Sequence, residues 1–277
     1  ITMKLKKKYR FDNKRQIWRI IPTNSGKLII EERESEQKQV YFHCIELTSG
    51  KKILQDFQLD DKFWVGIESV KDDYIYFHKF AKPDMPKHKG IFAFDIKTKK
   101  IFWENSNLTF QFMFRDKMYA YVEEFGGKKF FALNLQDGTV EDELGDNPLL
   151  INELRDQSIA DNIPAGYLFP EVFSSDSLIE NNTFDLISSL KTDFMISGQI
   201  EYLLKNGLLM MSFHTVNEKG KLNNIFKAVD LSGRKYILEE VLNKDTSLFF
   251  TDSFFVKDDF LFLLFGKTRL EVYNIIS

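Results

Sequence analysis

The sequence predicts an all-β protein, a β-propeller of five four-stranded blades, and three observations carry that prediction. A two-part turn-and-strand signature recurs along the chain, its copies are regularly spaced, and aromatics make up 15% of the residues, with 28 Phe among 277. Short sheets packed face to face absorb aromatic side chains better than helical bundles do.

The first half of the signature is a turn between two apolar runs. It reads Ser25-Gly26-Lys27-Leu28-Ile29, Lys71-Asp72-Asp73-Tyr74-Ile75, Arg115-Asp116-Lys117-Met118-Tyr119, Lys205-Asn206-Gly207-Leu208-Leu209 and Lys257-Asp258-Asp259-Phe260-Leu261. Gly, Asn and Asp accept positive φ or bond their own backbone there, so the copies signal hairpins. The second half is an apolar strand that ends on an acidic residue or Asn before another turn, as in Phe92-Ala93-Phe94-Asp95 and Phe131-Ala132-Leu133-Asn134. The first apolar residues after the turns, Leu28, Tyr74, Met118, Leu208 and Phe260, are 46, 44, 90 and 52 residues apart.

An interval in the forties is the length of a four-stranded blade. The interval of 90 spans about two, so residues 147–199 hold something of blade length that lacks the signature. It is either an irregular, partly helical, acidic insertion or the degenerate fourth of six blades, within one propeller domain covering 1–277. The last copy ends one strand short, while Met3 to Phe11 precedes the first blade as a spare strand. It is expected to pair with the last blade, its lysines protecting an outer edge. The alternative for this basic stretch is an arm that binds nucleic acid or membrane.

Asp95-Ile96-Lys97-Thr98-Lys99-Lys100-Ile101-Phe102-Trp103 resembles the Asp-x-x-Thr-Gly-Lys-x-x-Trp repeat of quinoprotein-like propellers, with Lys99 in the glycine slot. The other copies keep the turn and lack the Trp, and the chain as a whole is similar to the quinoprotein-like and WD40-like superfamily. The nearest likeness is to an uncharacterised bacterial propeller-like family with no assigned activity. No quinone is implied, since quinoprotein enzymes are much larger and their cofactor-binding residues have no counterpart here; no cofactor is expected.

Cys44 is the single cysteine, so an internal disulfide is impossible and an oxidising compartment finds no support. No apolar run reaches the roughly 18 residues of a membrane span, and no leader is recognised. With Met3 read as the start, the chain opens directly in a strand and a cytoplasmic protein is expected. Net charge is −3, yet residues 1–140 carry 26 basic and 19 acidic side chains, residues 141–201 carry 2 and 13, and residues 202–277 carry 10 and 9. Acid is thus concentrated where the repeat fails.

Within that stretch Asn147 can cap a helix with Pro148 at its first position, and a second helix is expected around Thr183 to Leu190. Between them lies Tyr167-Leu168-Phe169-Pro170-Glu171-Val172-Phe173. Tyr167, Phe169 and Phe173 in an acidic surround resemble the apolar centre and charged rim of a protein interface. The competing expectation is that these rings pack on the propeller as core.

The sequence contains no phosphate-cradling glycine loop, Cys-x-x-Cys pair, His-Glu-x-x-His helix or Gly-x-Ser-x-Gly elbow. His43, His78 and His214 fall in strands of separate blades, so metal binding would require them to converge, and no metal set is assigned. His88 lies in Lys82 to Gly90, read as a long basic loop and a second candidate binding feature. Paired carboxylates such as Asp72-Asp73 and Asp258-Asp259 sit in turn slots, which argues against a two-carboxylate hydrolase. Of the first strands, Glu68 and Asp252 could face a central channel. Basic residues are interleaved with acids, so nucleic acid is not an expected partner. The resulting expectation is a non-enzymatic interaction module with a protein partner. Its alternative is a small-molecule or glycan-binding propeller, hydrolytic or not, with its site at the channel.

Overall fold

A computed structural model describes residues 2–82, 85–161 and 166–276. The architecture is that of a β-propeller, with five antiparallel sheets, one for each copy of the signature. The chain forms two compact units, Ile1–Lys14 with Gly166–Ser277, and Arg15–Ala165.

The N-terminal strand is β1 (Lys4–Asp12). Unit Arg15–Ala165 then holds three four-stranded sheets. The first comprises β2 (Gln16–Pro22), β3 (Lys27–Glu34), β4 (Gln39–Glu46) and β5 (Lys52–Phe57). The second has β6 (Val65–Lys71), β7 (Tyr74–Lys82), β8 (Met85–Asp95) and β9 (Lys100–Asn105). The third has β10 (Thr109–Phe114), β11 (Lys117–Glu124), β12 (Gly127–Asn134) and β13 (Val140–Gly145), followed by α1 (Pro148–Asp161). Strand order follows chain order in all three, which is how successive hairpin turns build a blade. Asp72 and Arg115 carry φ of 54° at the turn between the first and second strands of their sheets, a conformation Asp tolerates through its short polar side chain.

The sheets pack face to face. Ile29, Phe42 and Cys44 of the first meet Ile67, Phe77 and Phe94 of the second, and Tyr76, Ile91 and Trp103 of the second meet Met113, Met118 and Leu133 of the third. Each interface is a layer of buried apolar side chains, and burying one large side chain of this kind is worth about 1.5–3 kcal/mol. Helix α1 covers the other face of the third sheet, where Ile151 and Leu154 pack among Phe112, Phe114, Tyr119 and Phe130. Its first turn forms as its residues dictate: Asn147 Oδ1 accepts a hydrogen bond from the Leu150 amide at 3.2 Å, with Pro148 just inside.

The other unit continues with β14 (Tyr167–Leu168), β15 (Glu171–Val172) and α2 (Asn181–Asp193), then β16 (Ile196–Lys205), β17 (Leu208–Val216), β18 (Leu222–Asp230) and β19 (Lys235–Thr246). It ends with β20 (Phe254–Lys257), β21 (Phe260–Phe265) and β22 (Arg269–Ile276). The fourth sheet runs β15-β16-β17-β18-β19 and the fifth β1-β22-β21-β20-β14. Strand β1 therefore completes the last blade, from Lys4 opposite Ile276 to Asp12 opposite Arg269, because β22 would otherwise present a row of open amides and carbonyls.

Among the described residues, 147–199 form no sheet of their own. The two-residue strands β14 and β15 each extend an existing sheet past its first strand, and α2 covers the fourth sheet, with Ile187 and Leu190 packed on Met211 and Phe213. Sequence reasoning left five and six blades open, and the pairing yields five.

Candidate functional site

Three side chains on successive strands of the second sheet converge: Glu68 from β6, His78 from β7 and His88 from β8. Two register irregularities put them there. Strand β6 pairs Ile67 with Phe77 and Ser69 with Tyr76, so Glu68 is the extra residue of a bulge. Strand β7 pairs Phe77 with Phe92 but Lys79 with Lys89, so His78 faces a second bulge containing Gly90, whose φ is 76°. Bulges re-aim side chains that a regular pleat would send elsewhere. Gly66 stands opposite His78, and a Cβ there would lie 2.9 Å from His78 Cε1. Glycine is thus the residue that lets the imidazole lie over the β6 backbone.

The Lys82 to Gly90 stretch is not the loop that its composition suggested. Strand β7 extends to Lys82 and β8 starts at Met85, with Pro83 and Asp84 outside the described residues. Pairing of Phe80 with His88 carries His88 back over His78, and the two rings stack at 3.5 Å and 9°. His88 Nδ1 lies 2.8 Å from Glu68 Oε1 and His78 Nδ1 lies 3.1 Å from the same oxygen. His78 is buried at 2% exposure, and neither of its ring nitrogens has a hydrogen-bond partner of acceptable geometry.

Burial and mutual charge shift both groups. Desolvation, the largest influence, pushes the His78 imidazole below its ordinary value while Glu68 pulls it up. For Glu68 desolvation acts to raise the carboxyl, but the neighbouring His78 and His88 hold it below the usual carboxylate range. Beyond Gly66, the Arg33 guanidinium is bound to Glu31 at 2.7 Å and to the carbonyls of Phe63 at 3.2 Å and Val65 at 2.6 Å.

The other histidines serve the fold. His43 Nε2 sits 3.0 Å from Glu32 Oε2 in the first sheet, and His214 Nε2 accepts the Phe250 amide at 3.0 Å. Asp252 precedes β20 rather than lying within it, with φ of 54° and its amide donating to Glu201 Oε1 at 3.2 Å. A cleft of about 270 Å³ between the second and third sheets is lined by Tyr74, Tyr76, Asp116 and Gln136 among others.

Of the three aromatics of the middle segment, Tyr167 and Phe169 stay together and Phe173 separates from them. Tyr167, on β14, stacks on Phe169 at 5.5 Å and on Phe255 of β20 at 5.8 Å. Phe169 is 55% exposed. Phe173 is buried beneath α2 against Phe184 and Tyr202.

Sequence reasoning singled out Glu68 and His88 separately and missed that they meet at His78. Two signals were available, Gly66 and Gly90, since an isolated glycine in a strand pattern marks a bulge or a close backbone approach.

Comparison with known proteins adds little chemistry. A family model described as a domain of unknown function (DUF4905) matches residues 21–103, a span that includes Glu68, His78 and His88. No curated protein matches the chain. Among solved structures, one titled "Structure of Dos1 propeller" aligns with 98% of this chain and 95% of its own, at 9% identity and a TM-score of 0.37.

Proposed function

We propose that this propeller is a non-enzymatic interaction module whose contact surface is the segment 167–172. One observation carries the reading: Leu168, Phe169 and Val172 are 40%, 55% and 47% exposed, although Tyr167–Leu168 and Glu171–Val172 are hydrogen-bonded into two sheets. Apolar side chains held in place and left in water are characteristic of protein-binding surfaces. Residues 166–201 carry 6 acidic and 1 basic side chains, which suits a partner with basic groups around an apolar contact.

The finer assignment to quinoprotein-like propellers belongs to the same proposal. It is supported by Trp103, whose indole donates to the Leu135 carbonyl of the next sheet at 3.0 Å. A cytoplasmic site of action is consistent with a buried free Cys44. No helix among the described residues is long and apolar enough to cross a membrane.

The test is photo-crosslinking from position 169. Phe169 replaced by p-benzoylphenylalanine and irradiated in the native host is expected to give one discrete heteromeric adduct, lost when Leu168→Ser is added. Adducts that are absent, or that join only copies of this chain, would contradict the proposal.

A further inference from the structure

We propose that Glu68, His78 and His88 bind a single exchangeable divalent transition-metal cation of the zinc class. The donor atoms all lie within 4.8 Å of one another. Two borderline imidazole nitrogens with one carboxylate oxygen form a set that favours Zn²⁺ and its neighbours, whereas Ca²⁺ and Mg²⁺ prefer all-oxygen shells. Three protein ligands leave a fourth tetrahedral position free, and His88, with its side chain 35% exposed, gives access to it from solvent.

A purely hydrogen-bonded reading accounts for the cluster less well. Glu68 Oε1 faces both Nδ1 atoms, at 2.8 Å from His88 and 3.1 Å from His78, yet the buried His78 nitrogens make no aligned hydrogen bond. Buried ring nitrogens without partners are rare in folded proteins. Ligands of one tetrahedral zinc sit about 3.4 Å apart when each bond is about 2.1 Å, so the N···O separations present require only slight expansion. Arg33 does not oppose the cation with a free charge, because Glu31 neutralises it at 2.7 Å.

The geometry also dictates how binding occurs. Parallel rings 3.5 Å apart have parallel lone pairs, and one ion cannot lie in both ring planes. His88, the more exposed member, swings away from His78 to admit the ion, while the bulge of β6 and Gly66 keep Glu68 and His78 in place.

Equilibrium dialysis against Zn²⁺ alone, followed by elemental analysis, tests the site. Wild type is expected to bind one equivalent saturably. His88→Ala and Glu68→Gln are each expected to weaken binding at least tenfold, and Lys89→Ala to leave it unchanged. His88→Ala removes a half-exposed ring, so an unaltered melting temperature without zinc confirms that its fold is kept; only wild type should then be stabilised by zinc. Absence of saturable zinc in wild type, or binding by His88→Ala and Glu68→Gln as tight as that of wild type, would overturn the proposal.

Discussion

Single residues do the positioning in this protein, and glycines mark where. Gly138 has φ of +70°, and a Cβ there would stand 2.6 Å from the Trp103 ring. Gly138→Ala is expected to cost roughly 2–4 kcal/mol, combining a left-handed backbone with overpacking of a ring that must keep its bond to Leu135. Chemical denaturation with Trp fluorescence measures it, and a loss under about 0.5 kcal/mol, the range of neutral surface changes, would refute the packing role. Glu201 supplies a pH test. Burial, its main influence, and the neighbouring Asp252 raise its carboxyl above the ordinary range despite the Asp252 amide. The folded state thus holds this proton more tightly than the unfolded chain, so a penalty for ionising it grows as pH rises through the raised value and is absent in acid. Glu201→Gln keeps an acceptor for Asp252 and is expected to raise the melting temperature at neutral pH, with the gain vanishing below about pH 4. An equal gain at both pH values would rule this out.

Among the elements, the N-terminal segment formed by Met3 and β1 is anchored by packing: Met3 and Phe11 are buried and Leu5 packs against the core shared by the fourth and fifth sheets. Burying two large apolar side chains is worth about 3–6 kcal/mol, comparable with a domain's whole margin of about 5–15 kcal/mol. Deleting residues 2–12 is therefore expected to abolish cooperative melting, and a synthetic peptide of residues 2–14 to restore it. A truncated chain melting at the wild-type temperature would show that β1 is an ornament. This strand was legible in the sequence because the last copy of the signature stopped one strand short. Helix α1 was legible from Asn147 and Pro148. Strands β14 and β15 were not: two-residue strands carry no periodicity, and only tertiary pairing with Lys257 and Tyr202 defines them.

For the molecule as a whole, the propeller class followed from turn chemistry repeated at Asp72, Asn206 and Asp258, because turns are local and periodic. The candidate site was hidden for the converse reason. A strand pattern assumes a regular pleat, and the bulges at Glu68 and opposite His78 each break it, so residues that alternation assigns to unrelated positions share one spot. The proposed consequence of this convergence is a bound metal ion. Anomalous diffraction from crystals of the full chain grown with Zn²⁺ tests it most directly. The predicted result is a peak bonded to Glu68 Oε1, His78 Nδ1 and His88 Nδ1, with the two imidazoles splayed apart; no peak there, with the rings still stacked, would contradict it.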